Sequence, residues 1–175
     1  TQGCRLNQSE TASLENAFVN EGFQLENAPL NADIAVVNTC TVTENGDTDT
    51  KRLINKLVQM HSDIKIALIG CQAQVHQAGL FELKNVKWVI GNAEKMNTHH
   101  IISQTIDLNE TVCKTKKIRS KPFTIEASSI DAHHTRANIK IQDGCDFYCS
   151  FCVIPFARGP ARSRVYEDII RECID

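Results

Sequence analysis

The sequence predicts an α/β fold with an open parallel sheet flanked by helices, followed by one further strand–loop–helix unit. Three observations carry this. Over the first hundred residues, short continuous apolar runs alternate with segments whose apolar residues recur at helical spacing, as strands buried on both faces and their crossover helices do. A basic, weakly apolar stretch then interrupts the pattern. Beyond it, a strand and a helix bracket a loop holding three cysteines.

In chain order, Ser9 is placed to cap a helix whose apolar side is Leu14, Ala17 and Phe18. Ile34–Val37 reads as a buried strand. Leu53, Ile54, Leu57 and Val58 predict a helix, and Ile64–Ile69 a second strand. A weaker helix is expected over 74–84, a third strand over Val86–Ile90 and a last helix over 92–104. The chain opens with Gly3-Cys4 directly before the first helix, so a strand is expected to precede Thr1, and a first residue other than Met reads as a fragment. Charge then shifts, from 8 Lys/Arg against 12 Asp/Glu over 1–109 to 11 against 9 over 110–175. Lys114, Lys116, Lys117, Arg119 and Lys121 lie in a stretch read as a linker. The expected units are therefore a domain over 1–104, a linker over 105–135 and a second unit over 136–175. In that second unit Ile139-Lys140-Ile141 is the expected strand, and a helix starts near Arg164 with Val165, Ile169 and Cys173 on one side.

With 175 residues, 42% hydrophobic and 23% charged, the chain can bury a core. A formal charge of −2 excludes a uniformly basic nucleic-acid binder. No apolar run approaches a membrane span and no signal-peptide pattern opens the chain. Eight cysteines without a secretory mark favour metal or redox chemistry over disulfide stapling.

Three of these thiols, Cys145, Cys149 and Cys152, fall within eight residues at C-x3-C-x2-C spacing. Soft donors so close together are usually held by an iron–sulfur cluster or zinc. Three ligands on a four-iron cluster leave one iron open to a small molecule. Zinc, with His133 or His134 as fourth ligand, is the alternative, and a disulfide or plain buried thiols a further one. Phe147, Tyr148 and Phe151 read as a water-excluding cover or as core. Cys4, Cys40 and Cys71 are far apart in sequence but share a structural position. Cys40 follows the Ile34–Val37 strand, Cys71 follows Ile64–Ile69, and Cys4 would follow the strand expected before Thr1. All three then sit at carboxyl ends of parallel strands, roughly 4.8 Å apart between neighbours, where open α/β sheets bind ligands. The competing reading is core filler, since cysteine is often buried at strand ends.

Arg158, Arg162 and Arg164 are read as contacts to RNA phosphates or carboxylates, or as a solvated helix start. The Lys114–Lys121 run is read as tracking an RNA backbone or as solvated linker. Asn7, Glu10 and Asn38 either shape the thiol site or serve as caps and turns.

The stretch from Gln142-Asp143-Gly144-Cys145 through Cys152-Val153-Ile154-Pro155-Phe156-Ala157-Arg158-Gly159-Pro160-Ala161-Arg162-Ser163-Arg164, with an aromatic residue before the third cysteine, resembles the radical S-adenosylmethionine signature and, along its length, the methylthiotransferase branch of that superfamily. Thr1-Gln2-Gly3-Cys4-Arg5-Leu6-Asn7 with Glu10, Asn38-Thr39-Cys40-Thr41-Val42-Thr43 and Ile69-Gly70-Cys71 resemble that branch's three N-terminal motifs. The resemblance implies a methylthiotransferase N-terminal domain followed by the first strand–loop–helix unit of a truncated radical SAM (β/α) barrel. It implies two 4Fe-4S clusters. One is held by Cys145, Cys149 and Cys152, with its open iron taking the amino and carboxylate groups of S-adenosylmethionine and Phe151 near the adenine. The other is held by Cys4, Cys40 and Cys71 and carries or activates the sulfur to be inserted. Reductive cleavage of S-adenosylmethionine to a deoxyadenosyl radical, hydrogen abstraction from an unactivated carbon, sulfur insertion and methylation by a second S-adenosylmethionine are the implied reaction.

The implied partners are the tRNA anticodon loop and an electron donor such as flavodoxin or ferredoxin, for a cytoplasmic monomer with no membrane contact. Thr41-Val42-Thr43 and Arg162-Ser163-Arg164 look most like the branch acting on threonylcarbamoyladenosine. The branches acting on isopentenyladenosine or a ribosomal protein come next. One unit of a barrel cannot enclose a core, so this chain alone is expected to be inactive. A zinc-containing nucleic-acid-binding module and a structural α/β domain with idle thiols are the readings from other classes.

Overall fold

The structure is a computed structural model that describes residues 1, 3–41, 46–125 and 138–174. Val42, Thr43, His133 and His134 lie outside the described residues.

Four strands, β1 (Ile34–Thr39), β2 (Lys65–Gly70), β3 (Val86–Gly91) and β4 (Val112–Lys114), form a parallel sheet in that order. The continuous apolar runs are explained by cover on both faces. Val37, Ile66, Leu68 and Val89 pack under Ile54 and Leu57 of α2 (Gly46–Met60). Their neighbours Ala67, Ile69, Trp88 and Ile90 pack on the opposite side with Leu14 and Phe18 of α1 (Arg5–Asn20) and Ile102 of α4 (Thr98–Thr105). α3 (Cys71–His76) leaves the carboxyl end of β2. Trp88 is fully buried and its indole N–H donates to Thr105 Oγ1 at 2.8 Å.

Several expectations shift. The first helix begins at Arg5 with Cys4 as its extended N-cap residue, so Ser9 lies inside it and turns its hydroxyl to the Leu6 carbonyl at 3.0 Å. The earlier start lets Asn7 donate to the Thr39 carbonyl at 3.1 Å and anchor the helix to the end of β1. The expected 74–84 helix splits into α3 and a 3-10 turn over Gln77–Glu82, because Gln77 takes a left-handed φ of 50° that stops the α-helix. β4 lies within the stretch read as linker.

The strand expected at Ile139–Ile141 is not formed. Ile139 and Ile141 are 37% and 59% exposed, and pairing begins one residue later. There β5 (Gln142–Asp143) runs antiparallel to β6 (Arg162–Ser163). Burial of Asp143 among basic side chains, rather than apolar contact, fixes this strand. α5 (Ile154–Arg158) and α6 (Tyr166–Ile174) complete the unit. Cys173, expected on the apolar side of the last helix, is exposed, and Asp168 is the residue α6 buries.

Candidate metal centre and the charge cluster beneath it

Two of the distant cysteines follow neighbouring strands at the sheet's carboxyl edge. Thr39 and Gly70 are register partners across β1 and β2, and the next residue of each segment is a cysteine. Cys40 and Cys71 are both buried, at 3% and 1% exposure, while Cys4 is exposed. The backbone leading to Cys4 runs against Cys40. Gly3 adopts φ +93°, and a Cβ there would lie 2.7 Å from Cys40 Sγ, so glycine is required for this approach. Asn38 donates to the Asn7 carbonyl at 2.9 Å, and Thr39 Oγ1 donates to the Ile69 carbonyl at 2.7 Å. The two strand ends and the first helix are thereby tied at the level of the thiols.

The second trio lies on the irregular loop between β5 and α5. Gly144 turns the chain at φ +76°, and the Cys145 N–H donates to the Gly159 carbonyl at 3.1 Å. Tyr148 sits at φ 46°, and the Cys152 N–H donates to the Cys149 carbonyl at 2.9 Å. Phe147 and Phe151 are 86% and 90% exposed, so neither is part of the core. All eight cysteines are free thiols. Among the described residues, no three His, Cys, Asp or Glu side chains converge closely enough to hold a metal ion. The donor chemistry still fits an iron–sulfur group. The loop offers three thiols within eight residues, and the sheet edge offers two buried thiols after neighbouring strands with a third at the adjoining N-cap.

A buried ionic cluster, not anticipated from the sequence, joins the two regions. Glu10 of α1 accepts from Lys95 at 2.5 Å and Lys140 at 2.6 Å, and Arg158 approaches it at 3.4 Å. Asp143 accepts from Lys140 at 2.7 Å, Arg158 at 3.0 Å and Arg162 at 3.2 Å. Asn7 Oδ1 accepts from Arg158 at 2.8 Å and Lys95 at 3.1 Å. Burial alone would raise the Glu10 carboxyl, but Lys95, Lys140 and Arg158 together hold it far below the usual carboxylate range. Burial would likewise raise Asp143, and Lys140 and Arg158 outweigh it, leaving that carboxyl lowered. Burial would lower Arg158, but Glu10, Cys71 and Asp143 overcome it and keep the guanidinium charged. Four cations face two carboxylates here, leaving a positive excess in the cluster.

Arg158 and Arg164 are each 4% exposed and fork onto carboxylates rather than facing solvent. Arg164 binds Asp168 at 2.5 Å and also pairs with Glu172. Arg162 reaches Asp143 while stacking its guanidinium over Phe123. Of the missed residues, Lys95 and Lys140 carried no motif, and Asp143 stood in the quoted cysteine stretch with no role of its own. In the sequence Glu10 and Asn7 stand as shapers of the thiol site or as cap and turn residues, with nothing to mark them as members of a charge cluster.

Fold and site together define an open parallel α/β domain whose first helix is joined by buried charges to the unit that carries the cysteine loop. Residues 1–91 match the family described as Uncharacterized protein family UPF0004, so the chain belongs to that family. It is 33% identical to the threonylcarbamoyladenosine tRNA methylthiotransferase MtaB of Aquifex aeolicus, over 98% of this chain and 42% of that protein. With tRNA-2-methylthio-N(6)-dimethylallyladenosine synthase of Petrotoga mobilis the identity is 30%, over 98% and 40%. With the ribosomal protein uS12 methylthiotransferase RimO of Gloeothece citriformis it is 29%, over 97% and 39%. The chain thus spans about two fifths of the length of these relatives. Among the described residues no helix is long and apolar enough to cross a membrane.

Proposed function

We propose that this chain serves a radical S-adenosylmethionine methylthiotransferase, with Cys145, Cys149 and Cys152 holding one 4Fe-4S cluster and Cys4, Cys40 and Cys71 a second. The observation that carries this is the tether between the unit bearing the cysteine loop and the first helix: buried Arg158 of α5 touches Glu10 and Asn7 of α1 and Asp143 of β5. Such a tether keeps two sulfur trios on one assembly, as an activity that needs both would require. When bound, the cofactors supply reductive cleavage of S-adenosylmethionine and the sulfur to be transferred. The chain's own part is to hold the thiols, exclude water around Cys40 and Cys71, and surround them with fixed positive charge.

The substrate we favour is N6-threonylcarbamoyladenosine beside the tRNA anticodon, supported by Thr41 after Cys40, by Arg162-Ser163-Arg164 and by the 33% identity to enzymes so named. Isopentenyladenosine in tRNA is the second reading. RNA would be met as an unstacked loop base. The full-length protein, purified anaerobically, is expected to contain iron and sulfide in near-equal amounts. Serine at positions 4, 40 and 71 should halve the iron. Zinc alone, or no metal, would reject the reading. Nucleoside analysis of tRNA from a strain lacking the full-length protein decides the substrate, the expected loss being the methylthio group on threonylcarbamoyladenosine.

A further inference from the structure

The carboxyl edge of the sheet repeats one position three times. Thr39, Gly70 and Gly91 are register partners across β1, β2 and β3, and the residues that follow them are Cys40, Cys71 and Asn92. Asn92 therefore stands on the third strand where the first two carry sulfur. It is 8% exposed, and its Nδ2 donates both to the Ala157 carbonyl at 2.7 Å and towards Cys71 Sγ at 3.4 Å. The Ala157 carbonyl settles which way the amide points, because a carbonyl accepts only from the nitrogen end. The second N–H is then the one that meets the sulfur. Among the described residues Asn92 Oδ1 is buried without a hydrogen-bond partner, and the side chain's contacts there are made by its donors.

We propose that Asn92 is a positioning residue for the Cys71 sulfur, fixing its direction, drawing electron density from it and linking it to α5 of the loop unit. The proposal rests on the reading of Cys4, Cys40 and Cys71 as cluster ligands. Hydrogen bonds to ligating sulfur are among the levers that set an iron–sulfur potential, and a donor favours the more negative, reduced state. Ala157 adjoins Arg158, so the same amide that meets Cys71 also meets the segment carrying the interdomain guanidinium.

The test uses the full-length protein with Cys145, Cys149 and Cys152 all changed to Ala, which isolates the sheet-edge cluster. Iron and sulfide are counted after anaerobic reconstitution, and the midpoint potential is read by EPR-monitored titration. Asn92→Ala is expected to keep the iron and shift the midpoint to more negative values. Asn92→Asp, which keeps the shape but replaces the donor by an oxygen, is expected to shift it further. An unchanged midpoint in both variants, with iron retained, overturns the role of Asn92 and leaves the ligand reading standing. No iron in the Asn92-containing background overturns the ligand reading and the proposal with it. If neither variant holds a cluster, the Fe–S stretching bands of the Asn92-containing background decide: a shift in deuterated water is expected, and its absence overturns the proposal.

Discussion

Glu10 is surrounded by Lys95, Lys140 and Arg158 and is 5% exposed, so its charge is the counterweight for three buried cations. Glu10→Gln keeps the shape and removes that counterweight. Breaking a buried ionic contact on one side typically costs about 3–5 kcal/mol, because the remaining charge stays desolvated. The expected outcome is a lower denaturant midpoint with an unchanged slope, measured by equilibrium unfolding. These residues were hard to find in the sequence for a simple reason. A lysine or aspartate that ends in a buried pair looks like any surface charge, and Glu10, Lys95 and Asp143 are separated by tens of positions. Arg158 stood out only because it lies in a motif, and either phosphate or carboxylate would have satisfied it.

Among the elements, β5, its loop and α5 depend on a single turn. A Cβ on Gly144 at φ +76° would lie 2.6 Å from the Gly159 carbonyl oxygen and closer still to that of Pro160. Both obstacles are backbone, so neither can swing aside. Gly144→Ala is expected to displace the segment 144–152 and, on the proposed two-cluster reading, to lower the iron of the full-length protein by about half. Metal analysis checks it. The sequence marked β1, β2 and β3 clearly, because strands covered on both faces must be apolar throughout. β4 was missed because it is three residues long, and Cys113 and Lys114 face solvent. The apolar residues at 139 and 141 misled in the opposite direction. They are largely exposed, and the strand that forms is fixed by a carboxylate. The glycines of the cysteine motifs were visible as sequence, but the close approaches that demand Gly3 and Gly144 needed coordinates.

At the scale of the whole molecule, the two parts meet through charge as well as packing. Glu10 and Asp143 are both held below their ordinary carboxylate values in the folded chain. As pH falls, the unfolded chain takes up protons at these positions first, so the folded state loses its advantage. The stabilisation is complete above about pH 5 and declines through the acid range towards the folded values. Trp88, the one tryptophan and fully buried, provides a fluorescence signal for this transition. The denaturation midpoint should fall with acid, and Glu10→Gln should flatten that fall. Ionic strength gives the contrasting case. Screening shortens from about 10 Å at 0.1 M salt to about 3 Å at 1 M, yet mobile ions weaken only those attractions they can reach. With its members walled off from solvent, the Glu10–Arg158–Asp143 bridge should survive brine that would dissolve a surface-bound tether.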